Sequence, residues 1–158
     1  MIEPRILREL LTLFQREDIP VTVRTSIAQV LGEASYTPAK GVLIKALTYP
    51  DASMRSSCIN ALANDWELAE VGPALVEILL HDDFEFVRMA AASGLGAIRY
   101  KPALPALKEV ILEDKYDMTL REAAYEALLA ILGKDQDEFP AESFDRKTAI
   151  DWDLVRRV

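Results

Sequence analysis

The chain has 158 residues, of which 51% are hydrophobic and 28% are charged. This is enough for one domain with its own core and leaves no room for a second large one. The 18 basic and 26 acidic side chains give a net charge of −8. Because a phosphate backbone is bound by basic surfaces, this balance argues against nucleic acid as the main ligand.

Cysteine usage and hydropathy exclude further classes. Cys58 is the only cysteine, so neither an internal disulfide nor a cysteine metal cluster can form within one chain. The sequence shows no signal-peptide pattern, and no apolar run approaches the roughly 20 residues of a membrane span. These observations predict a cytoplasmic protein without a membrane segment and without a cofactor.

Charge is distributed unevenly along the chain. Residues 1–64 carry seven basic and six acidic side chains, whereas residues 65–158 carry eleven basic and twenty acidic ones. A solvated acidic surface is the simplest interpretation of the second part. The alternative is a basic partner that binds the acidic half.

In chain order, a first helix is predicted over residues 4–16, and four similar segments then follow at intervals. Each segment contains an arginine, an apolar residue directly before it and a leucine seven residues after it, which together trace one helical face. The arginines are spaced by 31, 33 and 33 residues, so the chain is an internal repeat. The four segments are residues 21–32, 52–63, 85–96 and 118–129, and their arginines are Arg24, Arg55, Arg88 and Arg121.

A second helix recurs between these segments, at residues 38–47, 72–80 and 102–111. In each, large aliphatic residues four positions apart form an apolar stripe. An acidic turn separates each of these helices from the arginine-bearing helix that follows, and we expect the turn to cap that helix. The pattern therefore predicts alternating helices joined by short turns. The aliphatic pairs are Leu43/Leu47, Leu75/Leu79 and Leu107/Ile111, and the turns contain Asp51, Asp82 and Asp114.

The repeated arginines, the acidic turns and the closing leucines resemble those of the HEAT-repeat family, in particular its short-repeat branch that includes the phycobilisome-lyase HEAT-like proteins. The resemblance covers about residues 3–134. It implies an all-α solenoid of about four helix pairs whose arginine-bearing helices line the concave wall. It also implies that Arg24, Arg55, Arg88 and Arg121 form a structural ladder in which each arginine bonds a neighbouring turn aspartate.

Helical geometry then identifies candidate contact residues on the concave face, opposite the predicted core face. Most positions there are small and uncharged. Phe86, Met89 and, at the margin, Met118 are exceptions, and large apolar side chains that face away from a core indicate a contact surface. Packing against the neighbouring repeat or the C-terminal tail is the alternative. The candidate protein-binding residues are Ser56, Asn60, Phe86, Met89, Ser93, Met118, Glu122 and Glu126.

The last 24 residues, 135–158, break the repeat but belong to the same domain as residues 1–134. Gly133 is expected to end the last repeat helix, and residues 135–140 are predicted to be a loop. A final helix over about residues 145–157, with apolar Ile150, Trp152, Leu154 and Val155, would cap the open end of the solenoid. Binding of a partner by Trp152 and its neighbours is the alternative role.

The sequence contains no recognisable catalytic motif or metal-binding motif. His81 is the only histidine, and the carboxylates of Asp82, Asp83 and Glu85 coincide with a predicted turn. We therefore predict a non-enzymatic scaffold or adaptor that binds another protein, with a basic partner favoured by the acidic half. The resemblance leaves a bilin lyase-like subunit acting on chromophore proteins as the alternative. A third interpretation, a HEAT-like DNA glycosylase, is disfavoured by the acidic charge. Adaptor, assembly factor and toxin-neutralising roles stay open.

Overall fold

The computed structural model describes residues 2–134, 144–145 and 150–158. Two short strands, β1 (Phe144–Asp145) and β2 (Ile150–Asp151), pair antiparallel. The helices, in chain order, are α1 (Pro4–Phe14), α2 (Val21–Glu33), α3 (Lys40–Ala46), α4 (Ala52–Ile59), α5 (Gly72–His81), α6 (Glu85–Ala97), α7 (Leu104–Leu112), α8 (Met118–Leu132) and α9 (Trp152–Arg157).

The first eight helices form four consecutive pairs, α1/α2, α3/α4, α5/α6 and α7/α8, whose members contact each other. The second helix of each pair also contacts the second helix of the next pair, and α5 contacts α7 in the other layer. The helices therefore stack as a two-layer solenoid, which confirms the all-α solenoid predicted from the repeat.

The leucines of the repeat form one continuous core between the two layers. The leucine seven residues after each arginine is fully buried, and so are the leucines that begin the aliphatic pairs in the second, third and fourth repeats. Regular spacing thus places equivalent side chains at equivalent depths. These residues are Leu31, Leu62, Leu95 and Leu128 on the second helices, and Leu43, Leu75 and Leu107 on the first helices.

Small residues let the second helices approach one another closely. A Cβ atom added at Gly32 would lie 2.7 Å from the Cβ of Ala61, and one added at Gly96 would lie 3.0 Å from the Cα of Ala127. The first distance is shorter than real Cβ contacts and the second is tighter than most of them. Alanine at Gly32 therefore requires the neighbouring helix to move, and alanine at Gly96 requires a smaller shift. This packing fixes the distance between successive second helices.

The second repeat differs by a local π-helix, Asn60–Asp65, which continues α4. A π-turn holds one more residue than an α-turn, so it accommodates an extra residue without ending the helix. Trp66 follows directly and its indole Nε1 donates a hydrogen bond of 2.8 Å to the Gly32 carbonyl oxygen. The Trp66 ring therefore ties the end of the second repeat to the first.

The C-terminal segment caps the last repeat, but its helix is shorter than predicted. Helix α9 begins at Trp152 instead of near Asp145, because Ile150 and Asp151 are in β2. The Asp151 carboxylate accepts a hydrogen bond of 2.9 Å from the Leu154 amide and thereby starts the helix. Ile150, Leu154 and Val155 are buried, and α9 contacts α7.

Two further predictions concern the end of α8 and the loop after it. Gly133 follows α8 in the left-handed conformation, with φ of 66°, as expected of a glycine that ends a helix. The predicted loop at residues 135–140 lies outside the described residues.

Candidate functional site

The solvent-facing surfaces of α2, α4, α6 and α8 form one continuous face, which we call the second-helix wall. Each predicted contact residue lies on or beside this wall and is accessible to solvent. The eight residues therefore share the accessible side of these helices, and their role in binding stays a prediction. Asn60, Phe86, Ser93, Met118 and Glu126 are exposed, whereas Ser56, Met89 and Glu122 are half-buried.

Two hollows lie in the wall between neighbouring helices. One, of about 240 Å³, lies between α2 and the end of α4 and contains Gln29, Ser57 and Asn60. The other, of about 420 Å³, lies between α6 and α8 and contains Ser93 and Glu126. Polar side chains line most of the first hollow, whereas small residues such as Gly96 and Ala97 line most of the second.

The most apolar part of the wall is at the start of α6 and α8. Phe86 is 46% exposed and Met118 is 36% exposed. The ring of Phe84, in the turn before α6, packs edge-on against Phe86 with 5.9 Å between the ring centres and is itself exposed. Sequence reasoning missed Phe84 because the turn was interpreted only through its aspartates. An aromatic residue within an acidic turn was the available signal.

Two carboxyl groups lie beside this apolar patch, those of Glu85 and Asp117. The Glu85 carboxyl group forms a hydrogen bond with that of Asp117, and this bond, reinforced by partial burial and by the negative charge of Asp117, raises the pKa of Glu85. Glu122 and Glu126 lie farther along α8. The pairing of Glu85 with Asp117 was also missed, because it joins two repeats whose contact cannot be inferred from helix periodicity.

Behind the wall, the four repeated arginines contact the turns between helices, and we keep the name arginine ladder for Arg24, Arg55, Arg88 and Arg121. Arg55 makes the fullest set of bonds. Its Nε and Nη2 atoms each donate a hydrogen bond of 2.8 Å to the Asp82 carboxylate, and its Nη1 donates to the Tyr49 and Pro50 carbonyl oxygens. The two side chains are only 12% and 6% exposed. This ion pair joins the turn of the second repeat to that of the third.

The ion pair also shifts the acidity of its members. Burial acts to raise the pKa of Asp82, but the hydrogen bonds from Arg55 and from the Phe84 amide outweigh it and lower the pKa overall. Hydrogen bonding to Asp82 likewise raises the pKa of Arg55. Both groups are therefore charged at neutral pH.

The aspartate ladder implied by the resemblance is incomplete. Arg121 bonds Asp114 at 3.1 Å, together with the Ile111 carbonyl oxygen at 2.8 Å. Arg24, in contrast, bonds the Phe14 carbonyl oxygen and the Tyr49 hydroxyl, and no aspartate in the described part of the chain is bonded to it. The Nε atom of Arg88 is buried without a hydrogen-bond partner. The expectation of an aspartate at every step is therefore wrong for Arg24 and Arg88.

Aromatic rings, not aspartates, are what the four arginines share. Each guanidinium carbon lies over a ring supplied by the turn or cap that follows, at 5.0 to 5.9 Å from the ring centre. A guanidinium stacks favourably on such a ring. The pairs are Arg24 with Tyr49, Arg55 with Phe84, Arg88 with Tyr116 and Arg121 with Trp152.

The described residues contain little that could perform acid–base or nucleophilic chemistry. Burial raises the pKa of the Cys58 thiol to about 12, so the reactive thiolate does not form at neutral pH. His81 is exposed at the end of α5, 3.8 Å from Glu77. Within residues 2–134 and 150–158, no group of three or more His, Cys, Asp and Glu side chains is placed to hold a metal ion.

Within the described residues, no helix is long and apolar enough to cross a membrane.

Comparison with known protein families agrees with this architecture. A family model for HEAT repeats matches residues 41–129, which is more than half of the chain. It describes HEAT repeats in general and does not identify the lyase-like branch. No curated protein matches the sequence significantly. The matched residues run from α3 to α8 and include three of the four ladder arginines, and on this evidence the chain belongs to the HEAT-repeat family.

Proposed function

We propose that the protein is a non-catalytic scaffold that binds a segment of another protein along the second-helix wall. HEAT repeats are commonly protein-interaction scaffolds, and here the wall combines hollows, exposed apolar side chains and polar groups. The observation that carries the proposal is the exposure of Phe86 and Met118 on otherwise well-packed helices. Large apolar side chains held outside a core are typical of interfaces, where they become buried on binding.

Charge indicates the kind of partner. Glu33 and Glu126 are exposed on the wall, Glu122 is half-buried there, and the carboxyl groups of Glu85 and Asp117 lie beside the apolar patch. The predicted contact set contains no lysine and no arginine. A partner segment with basic side chains and a few apolar ones would match this wall in charge and polarity. We therefore propose a basic partner for the acidic half.

The test is a binding experiment with a matched control. The protein is used to capture partners from its source cell, the captured proteins are identified by mass spectrometry, and the affinity of each purified partner is measured by calorimetry. The triple variant Phe86→Ala, Met89→Ala and Glu122→Ala should weaken binding at least tenfold. A control with Glu77→Ala and Leu112→Ala, on the first helices, should bind as the wild type does.

Added salt separates the two parts of the proposal. If a basic partner binds the wall, raising the ionic strength should weaken the complex, because screening reduces attraction between exposed charges. A partner lost from the triple variant but insensitive to salt would support the wall and contradict the basic partner. If every partner remains bound to the triple variant, the wall is not the binding site.

A further inference from the structure

The position directly before the ladder arginine is buried by stacking in the last three repeats but exposed in the first. The residue directly before each ladder arginine is Met54, Val87 or Leu120 in the last three repeats, and all three are fully buried. Val87 lies on the same helical stripe as Gly94, whose missing side chain faces Ala63 of the π-helix that continues α4. This stripe therefore packs against the preceding repeat. Its counterpart in the first repeat, Val23, is 47% exposed.

The first helices show the same contrast. The residue four positions before the leading leucine of each pair is Ala39, Val71 or Ala103, and each is at most 2% exposed. Arg24 bonds the carbonyl oxygen of Phe14 as Arg121 bonds that of Ile111, so Leu10, four residues before Phe14, is the leading residue of α1. Leu10 is only half-buried, and Ile6, four positions earlier, is 42% exposed. We call Ile6, Leu10, Val23 and the half-buried Val30 the N-terminal end face.

The opposite end of the stack is closed. Ile150, Leu154 and Val155 are buried against the last repeat, and the ring of Trp152 covers Arg121. Among the described residues, no element covers the N-terminal end face in a comparable way. Its apolar side chains are those that the preceding helix pair buries in every other repeat, so the face is one that an apolar surface would cover.

Charge favours a second copy of the same chain as the occupant. Residues 1–64 carry seven basic and six acidic side chains and are nearly neutral, whereas residues 65–158 carry a large acidic excess. Two copies that meet through their N-terminal ends bring the neutral halves together and keep the acidic halves apart. Because the other end is capped, such stacking closes at two copies and does not continue into a fibre.

We propose that two copies of this chain associate through their N-terminal end faces, each supplying the helix pair that covers Ile6 and Val23 of the other. The contact is isologous, because the same apolar residues of both copies meet about a two-fold axis. It leaves both second-helix walls open. The proposal does not depend on the function proposed for those walls.

Sedimentation of the purified 158-residue chain tests this proposal. The protein concentration is varied from low micromolar to several hundred micromolar. The wild type should reach twice the mass of one chain, and Val23→Glu or Ile6→Glu should reduce it to one. Leu112→Glu introduces the same charge at an exposed leucine of α7 and should remain dimeric. Because Val23 and Ile6 are each more than 40% exposed, the variants should keep the helical circular dichroism of the wild type.

Several outcomes would overturn the proposal. These are a wild type that stays monomeric throughout the series, a Val23→Glu variant that dimerises like the wild type, and assemblies that keep growing with concentration. If Val23→Glu does not fold, Val23→Ser replaces it, since serine removes the apolar contact without adding charge. A dimer unaffected by Val23→Ser and Ile6→Glu would likewise place the contact elsewhere.

Discussion

Two junctions between helix pairs use the same repeat position with different chemistry. The first junction joins the second and third pairs, and the second joins the third and fourth. At the first junction, Arg55 donates hydrogen bonds from Nε and Nη2 to the Asp82 carboxylate and stacks on Phe84. At the second, Arg88 stacks on Tyr116 and the buried Nε atom has no partner. Among the described residues, arginine at this repeat position thus stacks on a ring at both junctions but forms an ion pair only at the first. The turn that follows the arginine-bearing helix's own repeat decides whether the arginine forms an ion pair.

The largest expected effect comes from breaking the ion pair. Replacing Arg55 by alanine leaves the Asp82 carboxylate, which is only 6% exposed, without its cation. Removing one member of a buried pair typically costs about 3–5 kcal/mol, so Arg55→Ala should lower the free energy of unfolding by that amount. Urea denaturation followed by circular dichroism measures it. A change below about 1 kcal/mol would contradict the role assigned to this pair.

Arg88→Ala should cost less, about 1–2 kcal/mol, because it removes a stacked cation and the packing of its aliphatic stem but leaves no partner unpaired. The same denaturation experiment applies, with Tyr116→Phe as the control that keeps the ring and should change little. If Arg88→Ala were as damaging as Arg55→Ala, the two junctions would not differ as the structure indicates.

The pH dependence of the free energy of unfolding also distinguishes the two junctions. Because the pKa of Asp82 is lowered in the folded protein, its contribution to stability is present above the pKa of an unfolded aspartate and is lost as pH falls through the folded value. Asp82→Asn should therefore be less stable than the wild type at pH 7, and the difference should shrink on acidification. Denaturation midpoints measured from neutral to acidic pH give this difference. A difference in stability between Asp82→Asn and the wild type that stays constant over that pH range would be inconsistent with the ion pair.

The smallest effect is expected at Glu85, on the wall side of the second junction. Its pKa is raised in the folded state by its hydrogen bond with Asp117, so the pair is most stable when protonated and loses stability as pH rises through the raised pKa. Glu85→Gln should therefore raise stability at neutral pH by about 0.3 kcal/mol. A melting curve should show a rise of about 1 °C at neutral pH, with the gain vanishing in acid.

Periodic features of the fold could be predicted from the sequence, and pairwise features could not. Leu31, Leu62 and Leu95 recur at one helical position, and helix geometry alone then defines both the core and the exposed wall. The partners of the ladder arginines depend instead on how turns from different repeats meet. That geometry is set by packing between helices, so the ring beneath Arg88 and the carboxyl pair of Glu85 and Asp117 were not foreseen.

The C-terminal segment illustrates a second limit. Apolar residues at helical spacing indicated a helix that begins near residue 145, yet Ile150 and Asp151 pair with Phe144 and Asp145 as short strands. A strand of two residues and part of a helical turn can show the same apolar pattern. Periodicity over so short a stretch therefore cannot distinguish a strand from a helix. The capping role itself followed from the exposed end of the repeat, a requirement that does not depend on the exact start of α9.

The π-helix of the second repeat affects the middle of the wall. Asn60 lines the hollow between α2 and α4, and Asn64 lines the hollow between α6 and α8. The two side chains join through a 2.9 Å hydrogen bond from Asn64 Nδ2 to Asn60 Oδ1. Amide groups carry the same donors and acceptors as a peptide backbone. The π-turn therefore places a hydrogen-bonded pair of amide groups between the two hollows of the wall.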